Sequence, residues 1–191
     1  WQAKVLGQFP DTASNAVIPL SWVDLARQRE HIDDVREWAG LDVARFGSDD
    51  SVLVEGNGNA LEAITIVHGQ DTIAVGGMGT NFLVRRQGIF AVDGIGVGAG
   101  VVDGIKAQIK ALHLRCSCLD INVAESPTHD PELFASLRDQ LWWDARSLLD
   151  PNTNDQLLSY ARLDEATYQR LRAELTAPTY RMTPSGKIKV E

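Results

Sequence analysis

The sequence predicts an α/β fold whose ligand site lies at the ends of its strands, and three observations carry that prediction. Ser51–Glu55 and Leu61–His68 read as a hairpin turning at Gly56-Asn57-Gly58-Asn59, beside an apolar run that ends at Asp42. That makes three antiparallel neighbours. A fourth strand, Ile89–Val92, follows a connection long enough for the crossover that a parallel partner requires. Asp42 and Asp93 each sit where an apolar run gives way to glycine, so two neighbouring strands of one sheet would bring both carboxylates to one rim.

The elements follow in order. Ser21 is a good N-cap for a surface helix over Trp22–Ile32, in which Trp22, Val23, Leu25 and Ala26 are apolar. A short polar stretch to Trp38 leads to the Asp42 strand, and Gly47-Ser48-Asp49-Asp50 is a turn by composition. The connection Asp71–Arg86 is ambiguous, because Gly76, Gly77 and Gly79 weaken a helix there. After the glycine run, Val101, Val102, Ile105, Ile109 and Leu112 share one helical face opposite Lys106 and Lys110. Leu114–Val123 reads as another strand. Asp130-Pro131 is expected to open a long helix through Phe134, Leu137, Leu141, Trp142 and Leu148, and Asp155–Leu175 to give one or two more. The last element is a β-hairpin, Tyr180-Arg181-Met182 and Lys187–Val190 around Thr183-Pro184-Ser185-Gly186.

The 191 residues suit one globular domain, and the formal charge of -8 argues against a protein that coats nucleic acid. A nuclease gripping a short stretch of duplex remains compatible, since cations can screen an acidic centre. No apolar stretch approaches the roughly 20 residues of a membrane span, and the amino end lacks the regions of a signal peptide. Solubility and a reducing interior are therefore expected. Cys116 and Cys118 lie too close along a strand for easy mutual bonding, and with His113 they lack a second ligand pair for zinc. His31, His68, His113 and His129 have no partners at ligand spacing, and none completes a Ser-His-Asp or Cys-His set. Trp1 without a methionine and Glu191 after a strand-like run suggest a piece of a longer chain.

Two carboxylates at one sheet rim are the usual holder of a hard divalent ion, which points to metal-dependent hydrolysis of phosphate esters. The blander reading of each aspartate is a turn former. A competing reading takes Gly94-x-Gly96-x-Gly98-x-Gly100, after a strand and before a helix, as a nucleotide-binding loop. Its spacing is loose, it comes late in the chain, and Asp93 at its mouth would repel phosphate. Arg45 is placed to meet a phosphate or to pair with Asp49 and Asp50. Lys187 and Lys189 alternate onto one face of the last strand, as a duplex contact or a solvated face. Trp142 and Trp143, with Arg138 and Arg146, read as packing and surface pairs rather than a base-stacking platform.

Taken in order, Phe9-Pro10, Ile18-Pro19-Leu20-Ser21-Trp22-Val23, Gly40-Leu41-Asp42-Val43-Ala44-Arg45-Phe46-Gly47-Ser48-Asp49-Asp50, Val92-Asp93-Gly94-Ile95-Gly96-Val97-Gly98-Ala99-Gly100, Leu137-Arg138-Asp139-Gln140-Leu141-Trp142-Trp143, Leu175-Thr176-Ala177-Pro178-Thr179-Tyr180 and Gly186-Lys187-Ile188-Lys189-Val190-Glu191 resemble the nuclease domain of tailed-phage terminase large subunits. The resemblance spans nearly the whole chain. It implies an α/β ribonuclease H-like mixed sheet flanked by helices, with the C-terminal hairpin, as a single domain over 1–191. It further implies a metal-dependent endonuclease that cuts double-stranded DNA during genome packaging with two Mg2+ or Mn2+ ions. Asp42 would bridge both ions and Asp93 would hold one. Lys187 and Lys189 would approach DNA. The family's third acid belongs to a Ser-Pro-Asp-like stretch after the final hairpin, which is missing here; Glu191 stands as a peripheral ligand or a strand-end residue. Implied partners are the amino-terminal packaging ATPase domain, absent because no Gly-x-x-x-x-Gly-Lys-Ser/Thr loop is present, the small terminase subunit and the portal, in the cytoplasm of the bacterial host. A catalytically incomplete ribonuclease H-like docking scaffold is the other alternative.

Overall fold

The computed structural model describes residues 15–35, 37–44, 49–96, 98–153 and 157–191. They divide into two compact units, one within residues 31–123 and one made of the described residues up to 30 together with those of 124–191.

In the first unit, β1 (Glu37–Asp42), β2 (Asp50–Asn57) and β3 (Ala60–His68) form the expected antiparallel set, and β4 (Ile89–Asp93) and β5 (Ser117–Ile121) add in parallel. The sheet order is β3-β2-β1-β4-β5. The hairpin turns more tightly than the glycines suggest, because β2 runs through Asn57 and leaves only Gly58 and Asn59 in the turn. Gly58 there has φ 53°, a conformation that favours glycine.

The ambiguous connection is a helix, α2 by chain order (Thr72–Arg86), and α3 (Gly98–Ala111) is the second crossover; α1 (Leu20–Gln28) precedes both in the chain. Asp71 caps α2 through the Ala74 N–H, and Gln87 closes it in the left-handed region with its N–H on the Leu83 carbonyl. Gly79 is tolerated inside α2 for a packing reason: a Cβ there would stand 2.7 Å from the Phe90 ring and 2.8 Å from Ile105. Close approach outweighs the propensity cost. Arg86 then ties the end of α2 to β1 and β3 through Glu37 (2.6 Å) and Glu62 (2.9 Å).

Register explains the core. Ala39 pairs with Phe90, Leu41 with both Val92 and Leu53, and all five are buried with Val75, Phe82 and Leu83 of α2 and Val101, Val102 and Ile105 of α3. One face of the sheet is therefore the helix-covered face.

The second unit contains α1, α4 (Leu137–Ser147), α5 (Glu165–Thr176) and the hairpin of β6 (Tyr180–Met182) and β7 (Ile188–Val190). Two expected helix starts shift. Helix α1 begins at Leu20, after extended Pro19 and with no side-chain cap, so Ser21 lies inside it. Helix α4 begins at Leu137 with Ser136 as its cap, not at Asp130-Pro131. The backbone of residues 133–135 is committed elsewhere: the Ile188 N–H donates to the Leu133 carbonyl (2.7 Å) and the Ala135 N–H to the Ile188 carbonyl (3.1 Å). Asp139, 3 % exposed, accepts from the Val190 N–H (2.8 Å), and Arg138 donates to the Val190 carbonyl (3.0 Å), so side chains of α4 continue the pairing along β7.

Of the expected tryptophan and arginine set, Trp143 and Arg146 pack together, while Arg138 turns to β7. Arg146 lies over the rings of Trp22 (4.6 Å) and Trp143 (5.1 Å), and Trp143 meets Tyr180 edge-on at 5.0 Å. Cys116 and Cys118 are free thiols. No helix among the described residues is long and apolar enough to cross a membrane.

Candidate metal centre

Strands β1 and β4 lie side by side with Leu41 next to Val92. The following residue on each is an aspartate, Asp42 or Asp93, and each is the last of its strand. Because Leu41 and Val92 point into the helix-covered core, alternation sends both carboxylates to the opposite face, at the same rim.

The chain is anchored on both sides of the pair. Beyond β1, the Ala44 N–H donates to the hydroxyl of Ser51 (3.0 Å), which is only 4 % exposed. Beyond β4, the Gly94 N–H donates to the Ile121 carbonyl (2.9 Å), and the Ile95 N–H reaches back to Asp93 Oδ1 (3.1 Å). The start of α3 presses on the same residue: a Cβ on Gly98 would lie 1.9 Å from the Asp93 carbonyl oxygen. Ser51→Ala is expected to cost about 1–2 kcal/mol by leaving the Ala44 N–H without its acceptor. Urea unfolding measures it, and an unchanged midpoint would refute the anchoring role.

The electrostatics at Asp42 are unfavourable by themselves. Desolvation by the surrounding protein pushes the Asp42 carboxyl above the usual carboxylate range, and the Asp93 charge pushes it the same way. No neighbouring cation among the described residues offsets either effect. A bound divalent cation would remove that conflict, and all-oxygen donors suit Mg2+ or Mn2+. The donor set thus fits a metal, although it supplies two ligands rather than a closed site.

Register explains why a third acid does not stand in the same row. Val52 is opposite Asp42 on β2 and Ile121 is beside Asp93 on β5, so apolar residues flank the pair. Asp120, which sequence reasoning passed over, pairs with Val92 and so belongs to the helix side. Its Oδ1 would be 1.7 Å from a Cβ on Gly94. Among the described residues, no group of three or more His, Cys, Asp or Glu is disposed to hold a metal ion.

The remaining expectations separate. Arg45 lies outside the described residues. Asp50 opens β2 and pairs with His68 at 3.0 Å. In the second unit, Ile188 and Val190 are buried while Lys189 is exposed and Lys187 is half-buried, as the alternation requires. Arg181 pairs across the hairpin with Lys189 and adds a third cation to that face. The same period of two, read across Tyr180-Arg181-Met182, carries that signal in the sequence. Glu191 forms an ion pair with Arg181 and backbone bonds with Thr179, a strand-end arrangement.

No protein-family model matches the chain, and no curated protein matches it in sequence. Solved structures do. The nuclease domain of the large terminase subunit gp2 of bacterial virus Sf6 superposes with a TM-score of 0.75 over 92% of this chain and 87% of that one, at 18% identity. The chain has the fold of a phage large-terminase nuclease. The large terminase nuclease of thermophilic phage G20c agrees, with a TM-score of 0.57, 16% identity and coverage of 93% and 88%. One gp2 nuclease structure contains manganese and beta-thujaplicinol, and one G20c structure contains bound magnesium. The mixed five-stranded sheet and terminal hairpin are those expected of the ribonuclease H-like class.

Proposed function

We propose that the chain is the nuclease domain of a terminase large subunit, an endonuclease that cuts double-stranded DNA as a phage genome is packaged. The observation that carries this reading is the side-by-side placement of Asp42 and Asp93 at the ends of parallel neighbours, where partial desolvation and then the like charge both disfavour the Asp42 carboxylate and a cation would offset them. The terminase-nuclease fold supports it, and the divalent metals in the Sf6 and G20c structures agree with it.

In this reading Asp42 would hold both of two Mg2+ or Mn2+ ions and Asp93 one. When bound, the ions supply Lewis acidity at the scissile phosphate and a water of lowered pKa. The protein's own part is positional. Ser51 fixes the chain after Asp42, while the Ile95 N–H and the close packing of Gly98 fix Asp93. A third acid would come from the segment following the hairpin, and the packaging ATPase domain from a preceding one. Lys187, Lys189 and Arg181 would meet the phosphate backbone, and Arg45 is assigned the same task on sequence grounds. The natural setting is the host cytoplasm, with the small terminase subunit and the portal as partners.

The nucleotide-loop reading gains no support, because the two tightest glycines of the loop are occupied by the protein itself. Gly94 makes room for the Asp120 carboxylate and Gly98 for the Asp93 carbonyl. Both groups repel phosphate.

Cleavage of supercoiled plasmid tests the proposal. The chain extended some tens of residues past Glu191 is expected to nick and linearise plasmid with Mn2+ and to stop when EDTA is added. Metal-independent cutting would overturn the mechanism. No cutting by the extended chain would favour the docking scaffold.

A further inference from the structure

The second unit contains a cluster that the nuclease reading leaves unused. His129 sits between two carboxylates: its Nδ1 is 3.1 Å from Asp130 Oδ2, and its Nε2 is 3.2 Å from Asp144 Oδ2. An ionised carboxylate only accepts, so this geometry suits the imidazolium ion, whose two ring N–H groups both donate. A neutral ring would set one nitrogen lone pair against a carboxylate oxygen.

The surroundings extend the cluster along the backbone. Gln140 of α4 accepts from the backbone N–H groups of Thr128 (2.7 Å) and His129 (3.2 Å) and donates to Asp144 (3.2 Å). Asp130 follows with φ 47°, a conformation that costs energy outside glycine and is held here by its neighbours. Phe134 packs its ring edge-on to the imidazole at 6.1 Å, and the segment then pairs with Ile188 of β7 through Leu133 and Ala135. The groups facing His129 are thus Asp130 from its own segment, Asp144 and Gln140 from α4, and the Phe134 ring.

We propose that His129 is a proton-operated latch that fastens residues 128–135 to α4 and, through them, secures β7, which carries Lys189 and follows Lys187. The inference goes beyond the nuclease reading and does not require it. Two carboxylates raise the His129 pKa above the ordinary imidazole value of 6.5, the Asp130 contact first and the Asp144 contact second. A group with a raised folded-state pKa contributes its stability fully below the unfolded value and loses it as pH rises through the folded one. The latch is therefore closed in acid and opens on the alkaline side.

Ring-nitrogen NMR of the 1–191 chain, with amide hydrogen exchange corrected for its intrinsic pH dependence, tests this. Both His129 nitrogens should carry protons at low pH, and protection of the Ala135 and Ile188 amides should fall severalfold as the ring titrates. His129→Gln should abolish that pH dependence. Protection that is flat through the titration, or that changes identically in His129→Gln, would overturn the latch. Should His129→Gln fail to fold, Asp144→Asn provides the second arm. It should move the His129 transition to lower pH, and an unmoved transition would overturn the proposal as well.

Discussion

The Asp42→Asn protein is expected to melt no lower than the parent in the absence of metal, and to lose at least about 10³-fold in plasmid cleavage by the extended chain. Both halves follow from one local fact. Asp42 stands exposed at its strand end, yet partial desolvation first and the Asp93 charge second hold its carboxyl above the usual range. A carboxyl whose folded pKa is raised binds more protons folded than unfolded. Stability therefore declines as pH rises from the ordinary carboxylate value through the raised one, and the ionised form is a burden at neutral pH. Asparagine keeps the shape and removes the charge. The same charge is what would hold the cations, and a 10³-fold loss corresponds to about 4 kcal/mol of transition-state stabilisation, within the range a metal supplies.

Thermal shift distinguishes the two halves. A ligand held at about 100 times its Kd adds roughly 2.7 kcal/mol to the folded state, so Mn2+ should raise the melting temperature of the parent and leave Asp42→Asn unchanged. Asp93→Asn should behave in the same direction. A variant that cuts as well as the parent, or gains the same shift from Mn2+, would remove these aspartates from the site.

The pair was legible because its signal is local. An apolar run, an aspartate and a glycine fall within a few residues at both places, and two parallel strands connected by a crossover bring such ends to one rim. What surrounds the pair depends on register, which no short window contains. Val52 and Ile121 flank it only because of how β2 and β5 pair, and Asp120 is one residue out of phase with the rim. A slip of one residue exchanges the two faces of a strand.

The helix boundaries failed for a related reason. Pro131 after Asp130 looks like a helix start, but the backbone groups of Leu133 and Ala135 are used by Ile188, more than fifty residues later. Ser136, a plainer cap, starts the helix instead. The glycines of α2 misled in the opposite sense, since the contact between Gly79 and Phe90 justifies a residue that propensity alone disfavours.

Glycine also gives the sharpest stability contrast, within the single helix α3. At Gly98 an added methyl would stand 1.9 Å from the Asp93 carbonyl oxygen. That neighbour is backbone at the end of a central strand, so it cannot swing aside as a flexible side chain could. Gly98→Ala is expected to destabilise by about 3 kcal/mol or more, the upper range for overpacking, and to displace Asp93. At Gly104, six positions along and exposed, an added Cβ meets nothing within 4 Å. There the ordinary helix preference operates unopposed, and Gly104→Ala is expected to stabilise by about 0.5–1 kcal/mol. Urea unfolding of the two variants should therefore move in opposite directions from the parent, and only Gly98→Ala should also lose Mn2+ binding. Two shifts of the same sign would mean that α3 does not press on the Asp93 backbone as described.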